Sequence, residues 1–295
     1  MIVAKAKRLR VRGHHVVLNR SRGGDAGIII GLLIIGAFMF VPMVYSVLNA
    51  FKPLEEFFYF PPHIIPRSLT TENFTYLFQL MSTSWVPFSR YLFNTVFITA
   101  AGVLGNLILA SLSAYALSKI PFPGREGFFQ IIQKSLMFST VAGGIINFIS
   151  MSLLGWVDSY LAIIVPSWAS TMGLYLMKQF MDSHVKDEVL ESARLDGSSE
   201  INTFFRIAMP MVKPAWLTLI VFSFQGLWQT GASPFIYSEQ LKTLNYAISQ
   251  VLAGGARRNG ASAASAFIMM VVPIVTFILS QSQIVETMGS SGMKD

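Results

Sequence analysis

The sequence predicts an all-α protein that crosses a membrane several times, and three observations support this fold class. Hydrophobic residues make up 53% of the 295 residues and charged residues only 13%, which is about half the charged share usual in soluble domains. A soluble domain of this size could not bury so much apolar surface, so lipid is the expected solvent. The other two observations are six long apolar segments and an uneven distribution of lysine and arginine between their connections.

The six apolar segments are each long enough to cross a membrane as a helix. The first, residues 27–50, has no charged residue in 24 positions, and at about 1.5 Å per residue it crosses a hydrocarbon layer of about 30 Å. The third has polar residues at its start, where Gln130, Gln133 and Lys134 occur. After the first segment, the predicted membrane helices are residues 91–118, 128–151, 160–181, 214–237 and 263–286.

The basic residues predict the orientation of these helices. With the N-terminus in the cytoplasm, 16 of the 22 lysine and arginine residues fall on the cytoplasmic side, as the positive-inside rule expects, so both termini are predicted to be cytoplasmic. A cleaved signal peptide is the competing interpretation of the N-terminus, but its apolar core would be shorter and a small-residue cleavage site should follow. The predicted organisation is a basic cytoplasmic tail (1–26), a first helix with an outer cap (27–90), and a core of five further helices ending in a short C-terminal tail (91–295).

Several chemistries are excluded or disfavoured by composition. The chain has no cysteine, which removes disulfides and thiolate chemistry. No G-x-x-x-x-G-K-[ST] motif occurs, so the chain does not bind ATP through a P-loop. The four histidines lack metal-ligand spacing, and no catalytic set is recognisable, so neither a metal site nor an enzyme is expected. The basic tail is expected to orient the first helix and contact anionic lipid rather than bind nucleic acid.

A polar segment, residues 182–210, interrupts the apolar pattern on the predicted cytoplasmic side. Asp182 or Ser183 can cap a first helix, and Gly197 can end it because glycine adopts left-handed backbone angles readily. Ser198 or Ser199 can then cap a second helix, which Pro210 is expected to end. The segment therefore predicts a helix, a glycine turn and a helix along the inner membrane face. Its residues alone leave two alternatives open, a solvated connector and a docking element for a partner.

The same segment resembles the cytoplasmic loop signature of ATP-binding-cassette importer permeases. That signature reads E-A-A, three residues, G, nine residues, I, one residue, L-P, and every spacing fits here, with serine and methionine replacing one alanine and the leucine. LSKIPFPGREGF (117–128) and KTLNYAI (242–248) also resemble the carbohydrate-importer permeases similar to the smaller membrane subunit of the maltose permease. The matching positions are Glu191, Ser192, Ala193, Gly197, Ile207, Met209 and Pro210.

The resemblance implies a type I importer permease fold in a bacterial inner membrane, in which this loop is a coupling helix docked on an ATPase. It implies two ATPase subunits that bind ATP and Mg, a second permease subunit, and an external binding protein, for which residues 238–262 are the candidate contact. The C-terminal stretch SQSQIVETMGSSGMKD (280–295) and the segment KTLNYAI look more similar to permeases for alginate- or pectin-type oligosaccharides than to those for maltose. The residues expected to couple to the ATPase are Glu191, Ser192, Ala193, Arg194, Leu195, Asp196, Gly197, Ile207 and Pro210.

Aromatic and amide side chains near the apolar segments are candidates for a sugar pathway, because sugars stack on aromatic faces and hydrogen-bond to amides. Tryptophan and tyrosine are also typical of membrane interfaces, and isolated amides often bridge helices, so a structural role stays open for each. The candidates are Asn147, Trp156, Asp158, Tyr160, Trp168, Gln225, Trp228 and Gln229.

An ion-coupled secondary transporter or channel subunit is the alternative function. Such carriers usually need carboxylates deep in the membrane. The central parts of the six predicted helices contain neither Asp nor Glu, since Asp158 and Glu286 fall at segment ends. The sequence therefore favours an importer permease over an ion-coupled carrier.

Overall fold

The computed structural model describes residues 22–82, 84–137, 140–253 and 255–291, and this part of the chain is helical, with no β-strand. It divides into two compact units, with the boundary between Tyr45 and Ser46. In chain order the helices are α1 (Arg22–Ala50), α2 (Glu72–Ser82), α3 (Phe88–Lys119), α4 (Arg125–Ser135), α5 (Thr140–Leu153), α6 (Leu161–Trp168), α7 (Thr171–His184), α8 (Asp187–Leu195), α9 (Glu200–Met211), α10 (Lys213–Trp228), α11 (Leu244–Leu252) and α12 (Asn259–Ser291).

Four segments of the described chain are long and apolar enough to cross a membrane, and a bent pair of helices raises the number to five. These four correspond to the first, second, fourth and sixth predicted helices. The sequence predicts these four helices because each is a long apolar run with few charged residues. The four segments are Ala26–Ala50, Phe88–Lys119, Leu161–His184 and Ala256–Leu279.

The third predicted helix, 128–151, is not one continuous helix. α4 ends at Ser135 and α5 begins at Thr140. Gln130, Gln133 and Lys134 are exposed on α4, whereas Phe129 is buried and stacks on Tyr175 of α7 with ring centroids 6.2 Å apart. α4 is therefore an amphipathic helix that packs on α7 through one apolar face and exposes its polar residues on the other.

The fifth predicted helix, 214–237, is shorter and forms one arm of the bent pair. α10 ends at Trp228, and it meets α9 at an angle of 85°. Pro210 and Pro214 flank the corner at Val212. Because proline has no amide hydrogen to continue a helix, two prolines at this spacing favour a change of direction between α9 and α10.

The predicted outer segments contain more helix than the sequence indicates. Residues 51–90 include a 3-10 turn at Leu54–Phe58 and α2, and the Asn73 amide of α2 donates to the backbone oxygens of Ala50 and Lys52 at 3.0 and 2.7 Å. Residues 238–262, the candidate contact for a binding protein, contain α11 and the start of α12. Both segments are tied to neighbouring helices by packing that composition does not show.

The core of the second unit is organised around α3, which contacts α6, α7 and α10. Buried side chains of α3 meet those of α7 and α10 in one apolar cluster that includes Ala114, Met177 and Leu219. A separate apolar cluster joins α2, the start of α3, α11 and α12. The chain between α7 and α10, which contains α8 and α9, packs on the first of these clusters.

Candidate functional site

The predicted helix–turn–helix is present as α8 and α9, which we call the hairpin (residues 187–211). Asp187 and Glu188 lie in the first turn of α8, where negative charge is favourable because of the helix dipole. The expected cap at Asp182 or Ser183 is wrong, because α7 continues through His184 and Lys186 occupies the N-cap position.

The turn of the hairpin is built on Gly197, as predicted. Gly197 has φ of +80°, a left-handed conformation that is strained for residues with a Cβ atom. Its amide donates to the Arg194 oxygen at 3.0 Å, and the Ser198 amide donates to the Ala193 oxygen at 3.0 Å. Ser199 then caps α9 by accepting from the Asn202 amide at 3.4 Å. These bonds satisfy the groups that the end of α8 and the start of α9 leave open.

One side of the hairpin is fixed to the core. Leu190 of α8 and Phe204 of α9 are 1% and 2% exposed, and both belong to the apolar cluster with α3, α7 and α10. Val185, which precedes α8, lies in the same cluster. Burying each of these side chains contributes about 1.5–3 kcal/mol, so apolar packing anchors the hairpin to α3, α7 and α10.

Polar contacts add a second attachment between the hairpin and α3. The Tyr115 hydroxyl donates to Glu200 Oε2 at 2.9 Å, and Arg194 Nε donates to Glu200 Oε1 at 2.6 Å. The hydrogen bond to Glu200 raises the pKa of Arg194 above its usual value. Lys119 Nζ, at the end of α3, lies 2.8 Å from Asp187 Oδ1. Both helices of the hairpin are thus bonded, at their first residues, to the C-terminal part of α3.

The other side of the hairpin is exposed and partly apolar. Leu195, Ile201 and Phe205 are 89%, 72% and 55% exposed. A cluster of large exposed apolar side chains in a polar segment is typical of a protein interaction surface.

The predicted coupling residues divide between the two sides. Ala193 is buried at 8% exposure and Ile207 is half-buried against the core, so they lie beneath the surface that a partner could touch. The remaining residues of the set are exposed: Glu191, Ser192, Arg194, Leu195, Asp196, Gly197 and Pro210.

Three predicted pathway residues use their polar atoms within the chain. The Tyr160 hydroxyl donates to Asn94 Oδ1 at 2.7 Å. Trp168 Nε1 donates to the Ala101 oxygen at 3.1 Å, and Trp228 Nε1 donates to the Met269 oxygen at 3.2 Å. These contacts give each ring a structural role.

Asp158 connects two loops. It has φ of +59°, and its Oδ1 accepts from the amides of Tyr237 and Ser238 at 2.9 and 2.8 Å. Oδ2 accepts from the Ser238 hydroxyl. The hydrogen bonds from the Ser238 hydroxyl and amide, and from the Tyr237 amide, lower the pKa of Asp158. The carboxylate therefore holds the α5–α6 loop to the segment after α10.

The other pathway candidates lie nearer the surface. Trp156 is half-buried and Asn147 is exposed. Gln225 is exposed on α10, and Gln229 is exposed directly after the last residue of that helix. Their role in a pathway stays a prediction.

A cavity of about 300 Å³, which the sequence does not predict, lies between α3, the α6–α7 junction and α10. Asn106 of α3 donates from Nδ2 to Ser223 Oγ of α10 at 2.6 Å. Ser167 and Ser170 line the same cavity. These residues are far apart in sequence, and the only sequence signal is an asparagine within an otherwise apolar run.

Comparison with known proteins identifies what this architecture resembles. No protein-family model matches the chain. Over 212 residues it is 30% identical to the polygalacturonan/rhamnogalacturonan transport system permease protein YtcP of Bacillus subtilis, which covers 71% of each chain. Over 270 residues it is 27% identical to the arabinooligosaccharides transport system permease protein AraQ of Halalkalibacterium halodurans, covering 90% of this chain and 95% of AraQ.

The fold has a counterpart among solved structures. One chain of a bacterial ABC transporter involved in the import of the acidic polysaccharide alginate superposes with a TM-score of 0.74, at 21% identity, over 89% of this chain and 98% of that chain. The relatives are transport permease subunits, which supports the importer resemblance and does not favour an ion-coupled carrier. This chain belongs to the permease subunits of sugar ABC transporters.

Proposed function

We propose that this chain is one of two permease subunits of a binding-protein-dependent oligosaccharide importer and that its ATPase docks on the hairpin. The observation that carries the proposal is the two-sided character of the hairpin. Leu190 and Phe204 fix it to the core, while Leu195, Ile201 and Phe205 are exposed. Such a surface suits a partner that applies force to the transmembrane helices.

The attachments of the hairpin suggest how the force is transmitted. Two ATPase subunits bind ATP and Mg, and their closure displaces the hairpin. Because Tyr115–Glu200 and Lys119–Asp187 bond the hairpin to α3, and Leu190 packs with α7 and α10 side chains, the displacement moves these helices with it. Their movement against the second permease subunit opens the pathway first to one side of the membrane and then to the other.

The membrane arrangement follows from the same proposal. The chain crosses the inner membrane of a bacterial cell six times. The hairpin and both termini lie on the cytoplasmic side. Four crossings are the four long segments, and α5 and the bent pair α9–α10 supply one crossing each. The basic tail before residue 22 and the last four residues, 292–295, lie outside the described residues.

The cargo is proposed to be an oligosaccharide of the polyuronate type. YtcP is named for polygalacturonan and rhamnogalacturonan, and the matching solved structure is of an importer of alginate. Arg257, exposed in a 3-10 turn between α11 and α12, suits an acidic ligand. The same segment, 238–262, is the proposed contact for the external binding protein.

Leu195→Asp tests the docking surface, with Leu69→Asp as the matched control. Leu69 is also highly exposed, at 73% against 89% for Leu195, and lies on the proposed outer side. Burial of a leucine contributes about 1.5–3 kcal/mol, and about 1.4 kcal/mol corresponds to tenfold in affinity. We therefore expect Leu195→Asp to weaken co-purification of the ATPase roughly 10- to 100-fold and Leu69→Asp to leave it unchanged. Equal ATPase recovery with both variants would contradict the proposal.

A further inference from the structure

The cavity between α3, the α6–α7 junction and α10 has the composition of a small-molecule site. Its wall is mostly apolar, with Leu219, Phe222 and Leu227, and carries the polar side chains of Asn106, Ser167, Ser170 and Ser223. Ligand sites in proteins are typically apolar with a few polar groups that fix orientation. Among the residues that the structure describes, no lysine, arginine or carboxylate lines this cavity, so its polar groups suit neutral hydroxyls.

Asn106 is the group that points to a ligand. It is 4% exposed, and Nδ2 donates to Ser223 Oγ, but Oδ1 is a buried acceptor with no partner within the described residues. An unpaired buried acceptor is unfavourable unless something supplies a donor. Hydroxyl groups and water are the donors that such a site can take up.

A second hydroxyl lies close to that acceptor. A Cβ atom at Gly173 would lie 3.3 Å from Asn106 Oδ1, 3.0 Å from Ser170 Oγ and 2.7 Å from Leu219 Cδ1. The two oxygens therefore lie on either side of one point beside Gly173, and a ligand group that contacts both must displace the end of the Leu219 side chain. Ser170 Oγ already accepts from the Gly173 amide at 3.0 Å, which leaves its hydroxyl hydrogen able to donate.

The membrane-crossing segment formed by α6 and α7 is interrupted beside the cavity. α6 ends at Trp168 and α7 begins at Thr171, although Leu161–His184 is one membrane-crossing segment. The junction therefore lies within the span, and the start of α7 carries the positive end of its dipole. Interrupted membrane helices are tolerated where the freed backbone lines a cavity, and transporters use such places to bind substrate.

The cavity borders an exposed face of α10. Phe222 and Gly226 line the cavity and share this face with Gln225 at helical spacing, and Gln229 follows directly after the end of α10. Exposed glutamines are unfavourable against lipid, so this face is expected to meet water or the second subunit. The side on which a transport pathway would run is therefore expected to border the cavity.

We propose that this cavity is a subsite for a neutral hydroxyl of the sugar in transit, contacted by Asn106, Ser170 and Ser223. The inference deepens the proposed function and rests on it. The acidic groups of a polyuronate are bound elsewhere, because the subsite has no positively charged side chain.

Single-cysteine labelling tests the subsite, because the chain has no cysteine of its own. Ser223→Cys and Ser170→Cys place a thiol of nearly the same size at the cavity, and having both keeps the test valid if one variant fails to fold. Ser111→Cys is the matched control, since Ser111 lies on α3, is 0% exposed and has an unpartnered Oγ, but is outside the cavity lining. Each reconstituted complex is treated with a small polar thiol reagent, with and without galacturonate or arabinose oligomers delivered by the binding protein.

The expected result is that the cavity thiols react and that the transported oligomer slows their labelling at least fivefold, while Ser111→Cys stays unreactive. Labelling without protection would show a cavity that holds water only, and absence of labelling would show a closed or lipid-facing cavity. Either outcome overturns the subsite. ATP-driven uptake by the same complexes separates this failure from that of the proposed function, because normal uptake without protection leaves the importer intact.

Discussion

Replacing Gly197 by alanine perturbs the hairpin through backbone strain alone. A Cβ atom at this position would meet nothing within 4 Å, so no clash occurs. The φ of +80° remains, and a residue with a Cβ atom in the left-handed region costs roughly 1–2 kcal/mol. Asparagine tolerates this region better than alanine does. The expected order of hairpin stability at this position is therefore glycine, then asparagine, then alanine.

The magnitude can be measured as local opening. A loss of about 1–2 kcal/mol changes an opening equilibrium by roughly 5- to 30-fold. Hydrogen exchange of peptides covering α8 and α9, measured in the assembled complex, should accelerate by this factor in Gly197→Ala and by less in Gly197→Asn. Exchange in α12, which is remote in sequence from the hairpin, should stay unchanged.

Gly127→Ala is the matched control for this prediction. Gly127 also has open space around it, but it lies inside α4 and its φ is not positive. Alanine is favoured over glycine in helices by about 0.5–1 kcal/mol, so exchange in α4 should slow. If Gly197→Ala also slowed exchange, or left it unchanged, the left-handed turn would not be what holds the hairpin, and the reasoning would be refuted.

Three further predictions concern packing and charge. Leu190→Ala should destabilise the attachment of α8 by about 2–5 kcal/mol, the usual cost of a cavity in a core, and release of the hairpin by limited proteolysis should increase. Gly105→Ala should lower the thermal stability of the complex, because the new Cβ would lie 2.0 Å from Trp168 Nε1, whereas the open site Gly144 should accept alanine. Hydrogen bonds lower the pKa of Asp158, so its contribution is present above an ordinary aspartate pKa of about 4 and is lost as pH falls through the lowered value. Protection of the Ser238 amide, corrected for the intrinsic pH dependence of exchange, should fall with acid, and Asp158→Asn should abolish that fall; an unchanged acid response in the variant would assign it to another group.

The parts of the fold that could be predicted are those set by local composition. α1 and α3 follow from apolar runs long enough to cross a membrane, and the hairpin turn follows from Gly197 between residues able to cap helices. Lys134 and its neighbouring glutamines make the start of the third predicted membrane helix polar. In the structure they form the exposed polar face of α4. The corner at Val212 also has a sequence signal in its flanking prolines, although its angle depends on packing.

The parts that could not be predicted depend on contacts between distant residues. Asn106 meets Ser223 only because α3 and α10 pack side by side. Likewise, Glu200 appears in the sequence as a first-turn carboxylate of α9, and only the fold places it against Tyr115. The burial of Ala193, a position of the matched signature, is also decided by packing on the core rather than by the spacing of the motif.

The measurement that tests the central claim most directly is sugar-stimulated ATP hydrolysis by the reconstituted complex. The native chain and Gly197→Pro are each assembled with the ATPase and the binding protein, and hydrolysis is measured with and without galacturonate or alginate oligomers. Proline cannot adopt a φ of +80° and lacks the amide that bonds to the Arg194 oxygen. We expect stimulation by an oligomer in the native complex and its loss in the variant. Full stimulation in Gly197→Pro would contradict the claim that the hairpin couples ATP hydrolysis to transport.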